Sequence, residues 1–374
     1  MVSVARSSLL FEWRRYATAV MAITFAGLLV VVQLALLLGL FRTVSAVVDQ
    51  SSADLWLGFR NTQSVDLGRP IQLGSDAQAW RHPGVTRVER FASAFGDLRR
   101  PDGVAVLVTV SGIDVADDAL AFARLLTLAQ RALLREPDAI LIDAADMRKL
   151  GAQVGTEVEI NGHHARIAGV VHGIRSVGGV NVIASLSTMQ RLAPETAGQV
   201  TFYLVGLQSG FEPGTVAAEI ADTAAIPRYS VWSAAALSTQ SQVYWLLESG
   251  SGIGAGFASL LALMVGVVIT SQTLSGAILA SIKEFAALRA LGVPQSALRA
   301  IVVEQALWVG AAGLLITGVL TAAIALLGRY GQIALAFPWW MVAGTGVVMM
   351  LIAVLSGWLS LRPLLAAEPA SLLR

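Results

Sequence analysis

Residues 280–309 read ASIKEFAALRALGVPQSALRAIVVEQALWV, and the architecture of the whole chain turns on this stretch. Long uncharged runs lie on both sides of it, yet it carries Lys283, Glu284, Arg289, Arg299 and Glu304. After Lys283-Glu284, the apolar residues Phe285, Leu288 and Leu291 recur every third position, so a short helix here has one apolar face. Gly292 closes that helix and Pro294 keeps it from continuing. A second helix starts at Gln295-Ser296 and runs into the next apolar segment. The pattern predicts a short amphipathic helix with Arg289 at its centre, set between two membrane spans and pressed against something outside the bilayer.

Before and after it, the charge-free runs are Tyr16–Phe41, Ser249–Ile282, Gln305–Gly328 and Tyr330–Leu361. Each exceeds the roughly 20 residues a helix needs to cross a bilayer. A mean hydropathy of +0.68 with 14% charged residues is likewise too apolar for a soluble chain of 374 residues. The predicted fold is therefore an α-helical membrane protein with four transmembrane helices, at 16–41, 249–282, 301–328 and 339–361. An α+β extracytoplasmic domain with stalk segments, residues 42–248, is inserted between the first two. The first span has an apolar core of about 25 residues against the 7–15 of a signal peptide, so it reads as a retained anchor.

Lys and Arg near the span ends set the orientation. Arg6, Arg14 and Arg15 precede the first span, Lys283, Arg289 and Arg299 separate the second from the third, and Arg362 and Arg374 follow the fourth. Both termini and the 283–300 helix and loop are thus predicted to be cytoplasmic. Residues 1–15 suit an interfacial helix, 329–338 an outer loop with Trp339-Trp340 at the interface, and 362–374 a cytoplasmic tail.

Within 42–248, strands are expected at Val104–Ser111, Ala139–Ile142, Thr156–Ile160, Ala165–Val171, Val180–Ala184 and Thr201–Leu207. Asn161-Gly162 signals a hairpin between the third and fourth of these. Helices are expected at Asp117–Leu134 and Pro213–Ala225, and the irregular alternation predicts a mixed sheet. The segment 249–282, at 1.5 Å per residue, makes a helix on the order of 50 Å long. Its excess over the hydrocarbon core is expected to project outside as a stalk. The glycines of 250–256 do not fit G-x-G-x-x-G and read as close packing or a hinge.

Several chemistries are excluded. A net charge of +1 and no basic, aromatic-interleaved patch argue against a nucleic-acid partner. The absence of cysteine removes disulfides, thiolate metal sites and cysteine nucleophiles. Of His82, His163, His164 and His172, the last two share a strand face in projection, but no nearby acid completes a metal set. Neither G-x-S-x-G nor H-E-x-x-H occurs, and Asp117-Asp118 reads as a helix start rather than a catalytic pair. The chain has two lysines, Lys149 and Lys283, followed by Leu150 and Glu284, so it holds no P-loop. No cofactor and no catalytic site are expected; energy must come from a cytoplasmic partner. The candidate intramembrane polar sites are Gln33, Gln272 and Glu304. Gln33 is expected to bond to a partner helix, and Glu304 to form an interfacial ion pair near Arg299 rather than a proton path.

The stretch KEFAALRALGVPQSALRAIVVE resembles the loop between the second and third spans of FtsX-like permeases, the membrane subunits of MacB-type ABC transporters. The layout agrees, and the ending P-A-S-L-L-R is similar to the P-A-x-x-L-R of many members. The first span, FAGLLVVVQLALLLGLF followed by Ala53-Asp54-Leu55-Trp56, is most similar to the DevC branch. The resemblance implies a multi-pass protein of the bacterial inner membrane, a homodimer bound to a separate ABC ATPase that holds the ATP and magnesium. It implies mechanical transmission of ATPase closure to a MacB-like periplasmic core domain. It also implies an HlyD-like adaptor and export of a lipid, lipoprotein or other amphiphile. Carried onto this chain, Lys283, Glu284, Phe285, Leu288, Arg289, Leu291 and Gly292 form the ATPase-coupling helix. A second expectation, from a different class, is an FtsX-type signalling protein that controls an outer partner such as a cell-wall hydrolase without transport.

Overall fold

The computed structural model describes residues 11, 13–100, 102–174, 179–222, 229–280, 293–331 and 335–366. The chain divides into two units, one of Met1–Gly39 with Ile253–Arg374 and one of Leu40–Gly252. In chain order, helix α1 (Trp13–Val44) is followed after Ser45 by one further turn, α2 (Ala46–Asp49).

The 40–252 unit then builds its strands: β1 (Leu55–Phe59), β2 (Ile71–Gln72), β3 (Val85–Arg99) and β4 (Ala105–Ile113). After α3 (Leu128–Leu133) come β5 (Ala139–Asp143), α4 (Met147–Leu150), β6 (Glu157–Ile160), β7 (His163–Val171) and β8 (Val180–Ser185). The unit ends with α5 (Leu186–Leu192), β9 (Gln199–Val200), β10 (Phe202–Leu207), α6 (Pro213–Asp222), β11 (Tyr229–Ser233) and α7 (Ala234–Val243). A π-helical turn, Tyr244–Glu248, follows α7.

The main sheet runs β11-β1-β10-β3-β4-β8-β5-β7-β6, with β3 also pairing β6. Because the long β3 meets both β4 and β6, the strands from β3 to β6 in that order close on themselves as a small barrel. β4–β8 and β5–β7 are parallel while the other pairings are antiparallel, so the sheet is mixed, as expected. The β6–β7 hairpin turns at Asn161 and Gly162, both at positive φ (51° and 82°), which is what a two-residue turn matched to strand twist requires. The barrel interior is filled by β-branched residues such as Val108, Val110, Ile140, Ile142, Ile167 and Val182. Beside it, Trp56 packs edge-on against Phe91 and Phe202, and Phe91 against Phe122.

One expectation is overturned. Asp117–Leu134 is not a helix; only Leu128–Leu133 is, begun by a capping box in which Thr127 and Gln130 bond each other's backbone. Asp117 and Asp118 start no helix and instead pair with Arg135 and Arg87. Residues 114–126 form a compact loop, with Phe122 at φ 51°. Several of the backbone groups a helix would pair internally are taken by side chains from elsewhere in the domain, Glu89 and Arg131 among them, and others by short turns or by Gln50 and Ser52. The helix expected at 213–225 is observed to Asp222, and its last residues lie outside those described.

The other unit is helical: α1, α8 (Gly250–Ala280), α9 (Gln295–Gly331) and α10 (Trp339–Ala366). Among the described residues, four stretches are long and apolar enough to span a membrane: Tyr16–Val44, Gly252–Thr273, Gln295–Gly328 and Trp339–Trp358. α9 starts at Gln295 as expected, with Ala297 and Leu298 N–H donating to Pro294 O. The helices meet through small residues. A Cβ on Gly313 of α9 would lie 2.8 Å from Ile23 Cγ2, and one on Gly266 of α8 would lie 2.7 Å from Ala26 Cβ. Such spacing leaves room for glycine alone and brings backbones close, the main attraction between helices in lipid. Tyr16, Ala19 and Ile23 of α1 are buried against Val309 and Ala353, and Val31 and Ala35 against Met341.

Candidate functional site

The coupling residues Lys283, Glu284, Phe285, Leu288, Arg289, Leu291 and Gly292 lie outside the described residues, as do the interfacial segment up to residue 10 and the tail from 367. The elements on either side of the coupling stretch are described: α8 reaches Ala280, and Val293-Pro294 leads into α9.

The intramembrane polar residues take separate places. Gln33 on α1 is half-buried, and its Nε2 donates to Ala255 O of α8 at 3.4 Å, the interhelical bond expected for it. Gln272 is exposed on α8. Glu304 is half-buried on α9, five positions after the exposed Arg299. Two threonines that drew no attention in the sequence do more. Thr24 Oγ donates to Val20 O (2.8 Å) and lies 3.2 Å from Gly313 O, while Thr317 Oγ lies 2.9 Å from Gly313 O and 3.3 Å from Thr24 O. These hydroxyls join α1 to α9 at the point where Gly313 lets the helices touch. Threonine at helical spacing is too common a residue to signal this by itself.

Within the 40–252 unit, a polar clasp joins the segment leaving α1 to α7. Ser45 Oγ and Ser238 Oγ donate to the two carboxylate oxygens of Asp49, at 2.6 and 2.7 Å. Gln242 Nε2 donates to Ser45 Oγ at 2.9 Å and lies 3.4 Å from Ser238 Oγ. Ser45 and Ser238 are buried, so each hydroxyl needs these partners. From the other side Arg124 Nη1 donates to Asp49 O and Phe122 N–H to Ser51 Oγ, tying the same segment to the 114–126 loop. The run YSVWSAAALSTQSQVYWLLE at 229–248 is rich in Ser, Thr and Gln, and which of its hydroxyls face α2 depends on how α7 packs.

The loop itself is organised by buried charge. Glu89 of β3 accepts from Leu120 N–H (2.7 Å) and Ala121 N–H (3.4 Å). Arg131 of α3 donates to Asp114, Ala119 and Ala121 carbonyls at 3.3, 3.0 and 2.7 Å. Arg87 bridges Glu89 and Asp118. The two acids respond oppositely. Burial pushes Glu89 above the ordinary carboxylate value of 4.5, against the pull of Leu120 N–H and Arg87. The Arg87 hydrogen bond holds the exposed Asp118 below its ordinary 3.8. These charges fix the geometry of the loop.

A cleft of about 630 Å³ opens beside the clasp, lined by Asp49, Asp54, Arg124 and Glu212 among others. Asp54 accepts from Leu207 N–H, and Glu212 from the Thr215 hydroxyl and N–H, which hold its carboxyl below the usual range. His82 bonds Glu219 at 2.9 Å through Nε2, and Nδ1 accepts from Gly84 N–H. His164 faces Glu159 across β6–β7. Among the described residues no three His, Asp or Glu side chains are grouped to hold a metal ion.

The glycine run before α8 includes one tight position. A Cβ on Gly252 would sit 1.9 Å from Trp245 O, so the step from the π-turn through the extended Ser249 requires glycine there. Gly250, Gly254 and Gly256 face open space.

Residues 16–223 match the MacB-like periplasmic core domain, and residues 256–369 match the FtsX-like permease C-terminal region. No curated protein matches the chain. Among solved structures, the periplasmic region of MacB from Actinobacillus actinomycetemcomitans is 12% identical, with a TM-score of 0.37 over 51% of this chain and 94% of that one. The extracellular domain of the noncanonic ABC-type transporter YknZ from Gram-positive bacteria is 14% identical, with a TM-score of 0.34 over 48% of this chain and 99% of that one.

Proposed function

The chain belongs to the family with a MacB-like periplasmic core domain joined to an FtsX-like permease region, and on that basis we propose that it is the force-transmitting subunit of an ABC-type export complex. The family consists of ABC permease components that normally work with a separate ATPase. The observation that carries the proposal is the joint extent of the two matches, residues 16–223 and 256–369, the second of which includes the stretch 283–292. In this reading the chain sits in a bacterial inner membrane with cytoplasmic termini, as a homodimer. ATP and magnesium are held by the ATPase, whose closure is received by the coupling helix. Movement of α1 and α8 then reaches the core domain, and the Asp49–Ser238–Gln242 clasp makes the two connecting segments move together. The DevC-like first span favours a lipid, lipoprotein or other amphiphile as cargo, handed to an HlyD-like adaptor.

The test is recovery of the partner. The full chain, purified from its native membrane in mild detergent, should bring an ABC ATPase with it in near-equal amount. Arg289→Glu should abolish that recovery while leaving the protease resistance of the 40–252 unit unchanged. Recovery of the ATPase at wild-type yield with the substituted chain would remove the coupling helix from the mechanism.

A further inference from the structure

The main sheet of the 40–252 unit closes on itself at one end of its strand order and stays open at the other. β11 is the strand at the open end, and among the described residues only β1 pairs with it. Ala234 N–H donates to Asp54 O, so in the same register Trp232 and Ser230 also turn their backbone groups toward β1. Tyr229 and Val231 therefore turn N–H and C=O away from the sheet, and Ser233 turns its N–H away. Among the described residues, these groups have no backbone bond outside the β1 ladder. Both faces of the strand are packed: Tyr229 and Val231 lie against Val216, Ala217 and Ile220 of α6, and Trp232 against the cluster around Trp56. What is left over is the edge. Such edges are commonly blunted by charge, proline or a bulge, yet YSVWS has no charge, no proline and an unbroken register.

The two ends of this edge differ in charge. Tyr229 borders a cleft of about 370 Å³ in which Arg81, an exposed side chain, is the one charged lining residue among those described. Ser233 borders the cleft of about 630 Å³ lined by Asp49, Asp54 and Glu212, where Arg124 is bonded to Asp49 O. A second copy laid antiparallel along β11 by a two-fold axis brings the Tyr229 end of one chain to the Ser233 end of the other. Arg81 then meets the acidic cleft of the opposite copy, and symmetry makes the same match twice. Open backbone groups supply the attraction, and the unlike ends select this partner and this direction.

We infer that β11 pairs antiparallel with β11 of a second copy, centred on Val231, and joins the two sheets edge to edge with Arg81 of each chain against the acidic cleft of the other. This gives the homodimer proposed above a contact surface, and it rests on that reading for the presence of two copies in one membrane. The chain has no cysteine, so introduced ones report alone. In native membranes under a mild oxidant, the full chain with Val231→Cys should form a covalent dimer, because Cα atoms opposed across such a pair stand about 5.5 Å apart, within disulfide reach. Tyr229→Cys should link with itself several-fold less, since its two copies would lie about 14 Å apart. It should link to Ser233→Cys when the two variants are coexpressed, and this mixed pair replaces Val231→Cys if that variant fails to fold. In the mixed pair, Val231→Pro removes an N–H that β1 does not use, so the 40–252 unit should keep its protease resistance while cross-linking falls several-fold. Arg81→Glu should also lower cross-linking, and Arg81→Lys should not. Absence of these products, self-linking of Tyr229→Cys equal to that of Val231→Cys, or a product holding a different protein would overturn the inference. ATPase recovery without the cross-link would remove this contact and leave the ATPase reading standing; the cross-link without ATPase recovery would do the reverse.

Discussion

The helical unit and the 40–252 unit bury their polar groups by opposite means. In the helical unit the backbone is satisfied inside each helix, so contact is improved by removing side-chain bulk. Gly313 and Gly266 let helices touch, and Thr24 and Thr317 add hydroxyl bonds across the same contact. In the 40–252 unit the 114–126 loop pairs its own backbone through short turns, such as Ala119 N–H to Ala116 O and Leu126 N–H to Phe122 O, rather than a continuous helical ladder. It is held by Glu89 and Arg131, whose charges are buried so that they bond its N–H and C=O groups. Each unit is accordingly fragile in its own way: one to added volume, the other to a lost charge.

Three experiments probe that contrast, besides the two given above. Arg131→Met should have the largest effect. It strips three carbonyls of their donor and leaves Glu89 buried with less positive charge nearby, which should destabilise the unit by about 3 kcal/mol or more. Hydrogen exchange across 114–126, in the full chain in nanodiscs, is the measurement; protection like the wild type would mean other groups hold the loop. Gly313→Leu comes next, at about 1–3 kcal/mol, because its Cβ meets Ile23 Cγ2 at 2.8 Å and Val20 O at 3.2 Å. Gly318→Leu on the same helix, with nothing within 4 Å, should be nearly neutral in thermal inactivation. Equal losses would dissolve the idea that close approach is local to one face.

The smallest effect is in pH. Glu89 binds its proton more tightly folded than unfolded, so its contribution to stability is complete below about 4.5 and lost as pH rises through the raised value. Asp118 runs the other way: its contribution is present above 3.8 and lost as pH falls through the depressed value. Glu89→Gln should flatten the decline above 4.5 and leave the acid limb in place. An unchanged slope above 4.5 would place the titration elsewhere.

Legibility followed how far each element's partners lie along the chain. The Asn161-Gly162 hairpin was readable because its turn and both strands fall within a few residues of one another, and the start of α9 because Pro294 and Gln295 are neighbours. The expected helix at Asp117–Leu134 failed because its first half is governed by Glu89, 31 positions away, and by Arg131 reaching back from α3. The clasp was out of reach for the same reason: Ser238 and Asp49 are 189 positions apart. The glycines of 250–256 were recognised as a group, but only Gly252 is required, since only there does Trp245 O approach.

Composition, periodicity and short local spacings were enough to establish the four apolar helices, the mixed α and β character of the intervening domain and the lack of a P-loop. The closure of β3 through β6 into a barrel, the buried charges under the 114–126 loop and the clasp between α2 and α7 came into being only with the folded chain. They depend on which distant groups share one space once water is excluded, and a polar group buried there has to find its partner wherever the fold supplies it.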